Sequence, residues 1–110
     1  MLSSDIMRGY NDTIILSQLL ERDSYGYEIS RNIQELSGGA YTMRETTLYA
    51  AFNRLERLGY VTSYQGTETF GRKRTYYTIT DAGRQFYREK CEEWHVLRHI
   101  MQSFIKEEPL

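Results

Sequence analysis

The sequence predicts a mostly helical α+β domain with one small β-hairpin. Three observations predict it. Apolar residues recur at three- and four-residue steps in four separate stretches. One stretch, Val61 to Ile79, is instead rich in Thr, Tyr, Val and Ile on both sides of a glycine-bounded tip. Hydrophobic residues make up 40% and charged residues 26% of the 110 positions, the proportions of one folded domain.

The first helix is read from about Asp5 to Glu21, where Ile6, Tyr10, Ile14, Ile15, Leu16, Leu19 and Leu20 form an apolar arc. That arc is too wide for one packing partner, so the helix is expected to touch its own core and something else. A turn at Arg22, Asp23 and Ser24 follows, and Ser24 is placed to cap a second helix from Tyr25 to Leu36 with Tyr25, Ile29, Ile33 and Leu36 inward. Gly38 and Gly39 supply the positive φ that stops it. A third helix runs from about Glu45 to Leu58 with Leu48, Phe52, Leu55 and Leu58 as its buried stripe. Its cap is either Thr42, at capping-box distance from Glu45, or Arg44. Gly59 ends it.

Val61–Gln65 and Lys73–Ile79 read as strands joined by a six-residue tip, Gly66 to Gly71. Thr80, Asp81 and Gly83 open a last helix reaching about Phe104, with Glu107, Glu108 and Pro109 beyond it. Three helices and then a hairpin is the order of a winged helix-turn-helix, whose third helix enters a major groove while the hairpin reaches the neighbouring backbone. Residues 1–79 are assigned to this unit and 80–110 to a terminal helix.

Charge follows the same division. The formal net charge is -1, yet residues 40–78 carry six Lys and Arg against three carboxylates, while residues 1–39 carry three arginines against six. On the third helix, Thr46, Thr47, Tyr49, Asn53, Arg54 and Arg57 offer charge to phosphates and hydrogen bonds to base edges. Arg72, Lys73 and Arg74 form a basic run beside the hairpin tip. These expectations define a double-stranded DNA interface, against the alternative of a winged helix that docks an acidic protein without DNA specificity.

The last helix carries Phe86, Tyr87, Cys91, Trp94, Leu97, Met101 and Phe104 at steps of three and four, the seam of a helix packed on a helix. With Ile14 on the first helix, Tyr87, Cys91, Leu97, Met101 and Phe104 are expected to form a homodimer interface. Twofold pairing would present two recognition helices to an inverted-repeat operator with half-sites about 10 base pairs apart, or a multiple of that.

Several fragments resemble the PadR family of transcriptional regulators in order and spacing. They are Gly26-Tyr27-Glu28-Ile29; Thr47-Leu48-Tyr49 with Arg54-Leu55-Glu56 and Gly59-Tyr60-Val61; and Gly71-Arg72, Arg74, Tyr76-Tyr77, Ile79-Thr80 and Gly83. The resemblance covers about residues 13–87. It implies a dimeric repressor released by an inducer, with the last helix of each chain against the first helix of the other. In the multidrug-sensing subset of that family, a tryptophan matching Trp94 sandwiches a flat aromatic ligand, and Ile6, Tyr10, Thr13 and Arg98 would line the same pore. Arg98 stands where that subset has an acidic residue, which implies neutral or anionic aromatics here. The other reading of Trp94 is a packed interface indole.

Other chemistries find little support. Cys91, His95 and His99 lie at i, i+4 and i+8 without an evident fourth ligand, so no metal and no cofactor are expected. No nucleophile–base pair or phosphate cradle stands in a supporting context, so catalysis is not expected. One cysteine and the lack of a signal peptide or long apolar run point to the cytoplasm, with no membrane partner.

Overall fold

The computed structural model describes residues 3–69 and 72–106, with the side chains of residues 67–69 and of Arg72 outside that description. Phe70 and Gly71 of the predicted tip, and Glu107, Glu108 and Pro109, lie outside the described residues. Eight elements follow in chain order: α1 (Ser4–Arg8), α2 (Asn11–Ser17), β1 (Ser24–Tyr25), α3 (Gly26–Leu36), α4 (Glu45–Arg57), β2 (Val61–Thr69), β3 (Arg72–Ile79) and α5 (Asp81–Gln102).

The predicted first helix is two. Ser3 caps α1 by accepting from the Ile6 amide, and the run stops at Gly9, where a short turn joins the Tyr10 amide to the Met7 carbonyl at 2.9 Å. Glycine weakens a helix interior, and Tyr10 leaves helical φ at -117°. Ser17 Oγ bonds back to the Ile14 carbonyl, and α2 ends there instead of at Glu21. The turn that follows is tied to α5, because Arg84 donates to the Leu20 carbonyl at 2.9 Å.

Ser24 does not cap α3. It belongs to β1, a two-residue strand pairing Ser24 with Tyr77 and Tyr25 with Tyr76, and its hydroxyl donates to Glu28. The sheet order is β1-β3-β2, all antiparallel, so β3 is central. Gly38 and Gly39 take φ of 63° and 81°, and Gly59 takes 82°, as helix stops require. Arg44 is the N-cap of α4, without a side-chain cap bond. The strands run further than the composition suggested, to Thr69 and from Arg72, with a register irregularity between Gly66 and Thr69.

The core gathers Ile15, Leu16 and Leu19, then Ile29 and Ile33, then Leu48, Phe52 and Leu55, and Val61, Tyr77 and Ile79 from the sheet. Each fully buried aliphatic side chain is worth about 1.5–3 kcal/mol. Two predicted inward residues are not inward: Leu36 is 75% exposed and Leu58 is 51% exposed, both at helix C-terminal ends beyond the core. Phe52 of α4 stacks on Tyr77 of β3 with ring centroids 3.9 Å apart, which fixes the third helix against the hairpin.

Thr80 caps α5 by accepting from the Gly83 amide at 3.0 Å and donates to the Gly59 carbonyl at 2.7 Å. Gly83 is tightly seated, since a Cβ there would stand 2.1 Å from the Tyr60 carbonyl oxygen. Beyond Cys91 every described residue of α5 is exposed. The helix thus projects as an arm, and the radius of gyration of 16.0 Å exceeds the roughly 13 Å of a compact chain of this length.

Candidate nucleic-acid interface and apolar groove

The outward strip of α4 follows from what its inward strip buries. With Leu48, Ala51, Phe52 and Leu55 buried, Thr46, Tyr49, Ala50, Asn53 and Arg57 are left on the exposed side, and Thr47 is half-buried between the two. Tyr49 is held at one end of this strip: it meets Phe52 edge-on at 5.7 Å, and a Cβ at Gly26 would stand 2.6 Å from its hydroxyl.

The basic run is divided by the strand pleat, because alternate residues of β3 face opposite ways. Lys73 shares a face with Thr75 and Tyr77, the face that packs on α4, and is exposed. Arg74 lies on the other face, half-buried, with its guanidinium 4.5 Å from the Tyr25 ring centroid. Its Nε is buried without a hydrogen-bond partner among the described residues. Tyr25, Tyr76 and Tyr64 continue that face as a row of rings at 5.2 and 5.7 Å. Lys73, Arg74, Tyr25, Gly26 and Tyr49 border one notch of about 230 Å³ between α4 and the sheet. The backbone of Arg72 begins β3; the role expected of its side chain lies outside the described residues.

Arg54 departs from its expected place. It is half-buried, not on the open strip, and its guanidinium grips Asp12 of α2 in a two-point bond, with Nε to Oδ2 at 3.1 Å and Nη2 to Oδ1. That bond keeps the guanidinium's pKa above its ordinary value against the opposing effect of burial. One residue earlier, the buried Asn11 accepts from the Tyr41 hydroxyl at 2.6 Å. Burial raises the Tyr41 pKa even so. These bonds of Asn11 and Asp12 were not expected from the sequence, since their partners are 30 and 42 residues away.

A second feature lies on the opposite side of α2. Ile6, Tyr10 and Thr13 face Trp94 across a groove of about 1330 Å³ between α1–α2 and α5, together with Ile14, Cys91 and Leu97. This volume exceeds the roughly 300–1,000 Å³ of a small-molecule pocket. α5 ends at Gln102, short of the expected end at Phe104; Met101 in its last turn and Phe104 just past it extend the apolar surface, Phe104 at 71% exposure. Tyr87 is half-buried beside Cys91, whose hydrogen bond raises the phenol's pKa. Phe86, the first member of the predicted seam, stacks instead on Tyr60 of its own chain at 4.4 Å.

Arg98 does not line the groove. It sits 5.5 Å over the Trp94 ring, whereas Glu89, Glu92, Glu93 and Lys90 do line the groove; Glu93 pairs with Lys90 at 3.2 Å, and Glu89 accepts from Gln85. Among the described residues no group of three His, Cys, Asp or Glu is placed to hold a metal, and no helix is long and apolar enough to cross a membrane.

The transcriptional regulator PadR-like family matches residues 15–89. A curated uncharacterized protein of Lysinibacillus sphaericus is 42% identical over 106 residues, covering 96% of this chain and 97% of that one. The structure resembles a transcriptional regulator from Clostridium thermocellum at 54% identity and a TM-score of 0.87, covering 93% of this chain and 99% of that one. It resembles a PadR family transcription regulator from Clostridium difficile at 33% identity and a TM-score of 0.76, covering 88% and 99%. The fold also recurs in Bacillus subtilis PadR in complex with operator DNA, at 21% identity and a TM-score of 0.68, covering 94% of this chain and 51% of that one.

Proposed function

The chain belongs to the PadR-like family of transcriptional regulators, not of catalysts, and on that premise we propose that it is a cytoplasmic repressor binding an inverted-repeat duplex as a homodimer. The observation that carries this reading is the notch. There Tyr49 of α4 adjoins Lys73 and Arg74 of the hairpin, and Asn53 and Arg57 lie further along the same exposed strip of the helix. Asn53 has the donor and acceptor to pair with adenine, while Arg57 and Lys73 supply donors to phosphates, with the charge of Arg74 on the neighbouring face of β3 beside them. Thr46, Thr47 and Tyr49 complete the contact surface. Arg72 adds a further cation at the start of β3.

Dimerisation is supported by the projecting arm. Leu97, Met101 and Phe104 present apolar surface that a second copy would bury, with Ile14 and Cys91 at the base of the same face. Closure of that face over the groove would enclose a pocket walled by Trp94, Ile6, Tyr10 and Thr13. A flat aromatic cation bound there is proposed as the inducer, with Arg98 outside the direct contact. Such a ligand should quench the emission of Trp94, the sole tryptophan. Equal, negligible quenching by cationic and anionic aromatics, measured without DNA, would remove the ligand from the account and leave the DNA reading intact.

Titration of labelled duplex against salt tests the DNA reading. Log K should fall linearly with log salt at roughly -0.9 per phosphate neutralised, and a scrambled duplex should bind far more weakly. An acidic-protein-docking winged helix would show neither behaviour.

A further inference from the structure

Helix α2 is seven residues long, and its two faces serve different surfaces. Tyr10, Thr13 and Ile14 border the groove against α5, while Asn11 and Asp12, interleaved between them, hold Tyr41 and Arg54. Tyr41 lies in the segment that leads into α4, and Arg54 lies in the last turn of α4. A displacement of α2 at the groove therefore reaches α4 through two polar bonds, one near each end of it. The arginine bond is the more directional of the two, being planar, two-pointed and partly shielded, with side-chain exposures of 40% for Arg54 and 22% for Asp12.

We propose that Arg54 is a positioning residue, not a DNA contact, and that the Asp12–Arg54 pair transmits the state of the groove to the DNA-reading helix. This rests on the reading of the chain as an operator-binding regulator, and it requires no particular ligand. The geometry favours it over a phosphate contact because the two carboxylate oxygens already engage both the Nε and the Nη2 edge of the guanidinium. Linkage makes the transmission reciprocal: whatever lets the groove alter DNA affinity must let DNA alter the groove. The only tryptophan lines that groove, so its emission reports the effect without an added ligand.

The test uses the full chain and an inverted-repeat duplex recovered from a random pool. Wild type, Asp12→Asn, Arg54→Gln and the double variant are titrated with the duplex, following affinity, salt slope and Trp94 emission. A positioning pair predicts that each single variant weakens binding roughly fivefold or more and that the double variant is no worse than either. It predicts an unchanged salt slope in Arg54→Gln. It also predicts that saturating duplex shifts Trp94 emission in wild type and not in the variants. A charge-swapped chain, Asp12→Arg with Arg54→Asp, should recover part of the affinity.

The opposite pattern overturns the proposal. If Arg54 touched phosphate, Arg54→Gln would lower the slope by about 0.9, and Asp12→Asn would free the arginine and tighten binding. A Trp94 response that survives in Asp12→Asn would also overturn it. Failure of the premise looks different: wild type then binds no duplex selectively, and the pair has nothing to position.

Discussion

At the residue scale, the division of the basic run by the β3 pleat separates roles that adjacent positions would otherwise share. Lys73 is exposed on the α4 side, so Lys73→Ala should weaken binding to every duplex alike and reduce the salt slope by about 0.9. Asn53→Ala should instead cost about 1–3 kcal/mol on the preferred sequence and relax preference at particular base pairs. Competition titrations with single-base variants separate the two; uniform loss from both would contradict the assignment. Tyr41 offers a third change of different kind. Tyr41→Phe leaves the buried Asn11 carbonyl without its donor, a cost of about 1–3 kcal/mol readable in urea unfolding. A midpoint unchanged from wild type would show that water replaces the phenol.

Among the elements, α5 depends most visibly on one small residue. Gly83→Ala would drive a methyl against the Tyr60 carbonyl and the Ile79 side chain, so the helix start must shift, at a cost of about 1–3 kcal/mol. Thr80→Ala should cost about 1 kcal/mol through the lost cap. Thermal unfolding orders them, and a neutral Gly83→Ala would mean that α5 is looser at its root than the contact distances state.

Local chemistry made much of this legible. Periodicity placed α3, α4 and α5, and Gly38, Gly39, Gly59 and Thr80 marked boundaries through backbone and capping requirements that any context would impose. What eluded the sequence depended on distant partners. β1 is a strand only because Tyr76 and Tyr77, some fifty residues on, offer it a ladder, and Asp12 acquires meaning only when α4 brings Arg54 to it. Leu36 and Leu58 satisfied the helical repeat but fall past the end of the surface that buries their neighbours. The notch could be assembled as a composition, since both basic elements were evident. Its geometry could not, because it follows from the Phe52–Tyr77 stack.

For the whole molecule, the extents of 57 × 29 × 22 Å describe a body with an arm, and the apolar face of that arm underlies the proposed pairing. The phenols of Tyr41, Tyr77 and Tyr87 all have raised pKa values, the first two chiefly by burial and Tyr87 first through Cys91. The folded chain thus keeps protons that the unfolded chain releases near pH 10, so stability is at its full value below about pH 10 and declines as pH rises further. Unfolding midpoints that stay level from pH 9 to 11 would contradict this.

The proposed function itself joins the α4 strip, the hairpin and the pairing arm in a single object with twofold symmetry. Selection of bound sequences from a random duplex pool by the purified chain measures all three together. The expected product is an inverted repeat whose half-sites lie about 10 base pairs, or a multiple of that, from centre to centre. A pool that stays random, or that converges on a motif without twofold symmetry, would contradict the account.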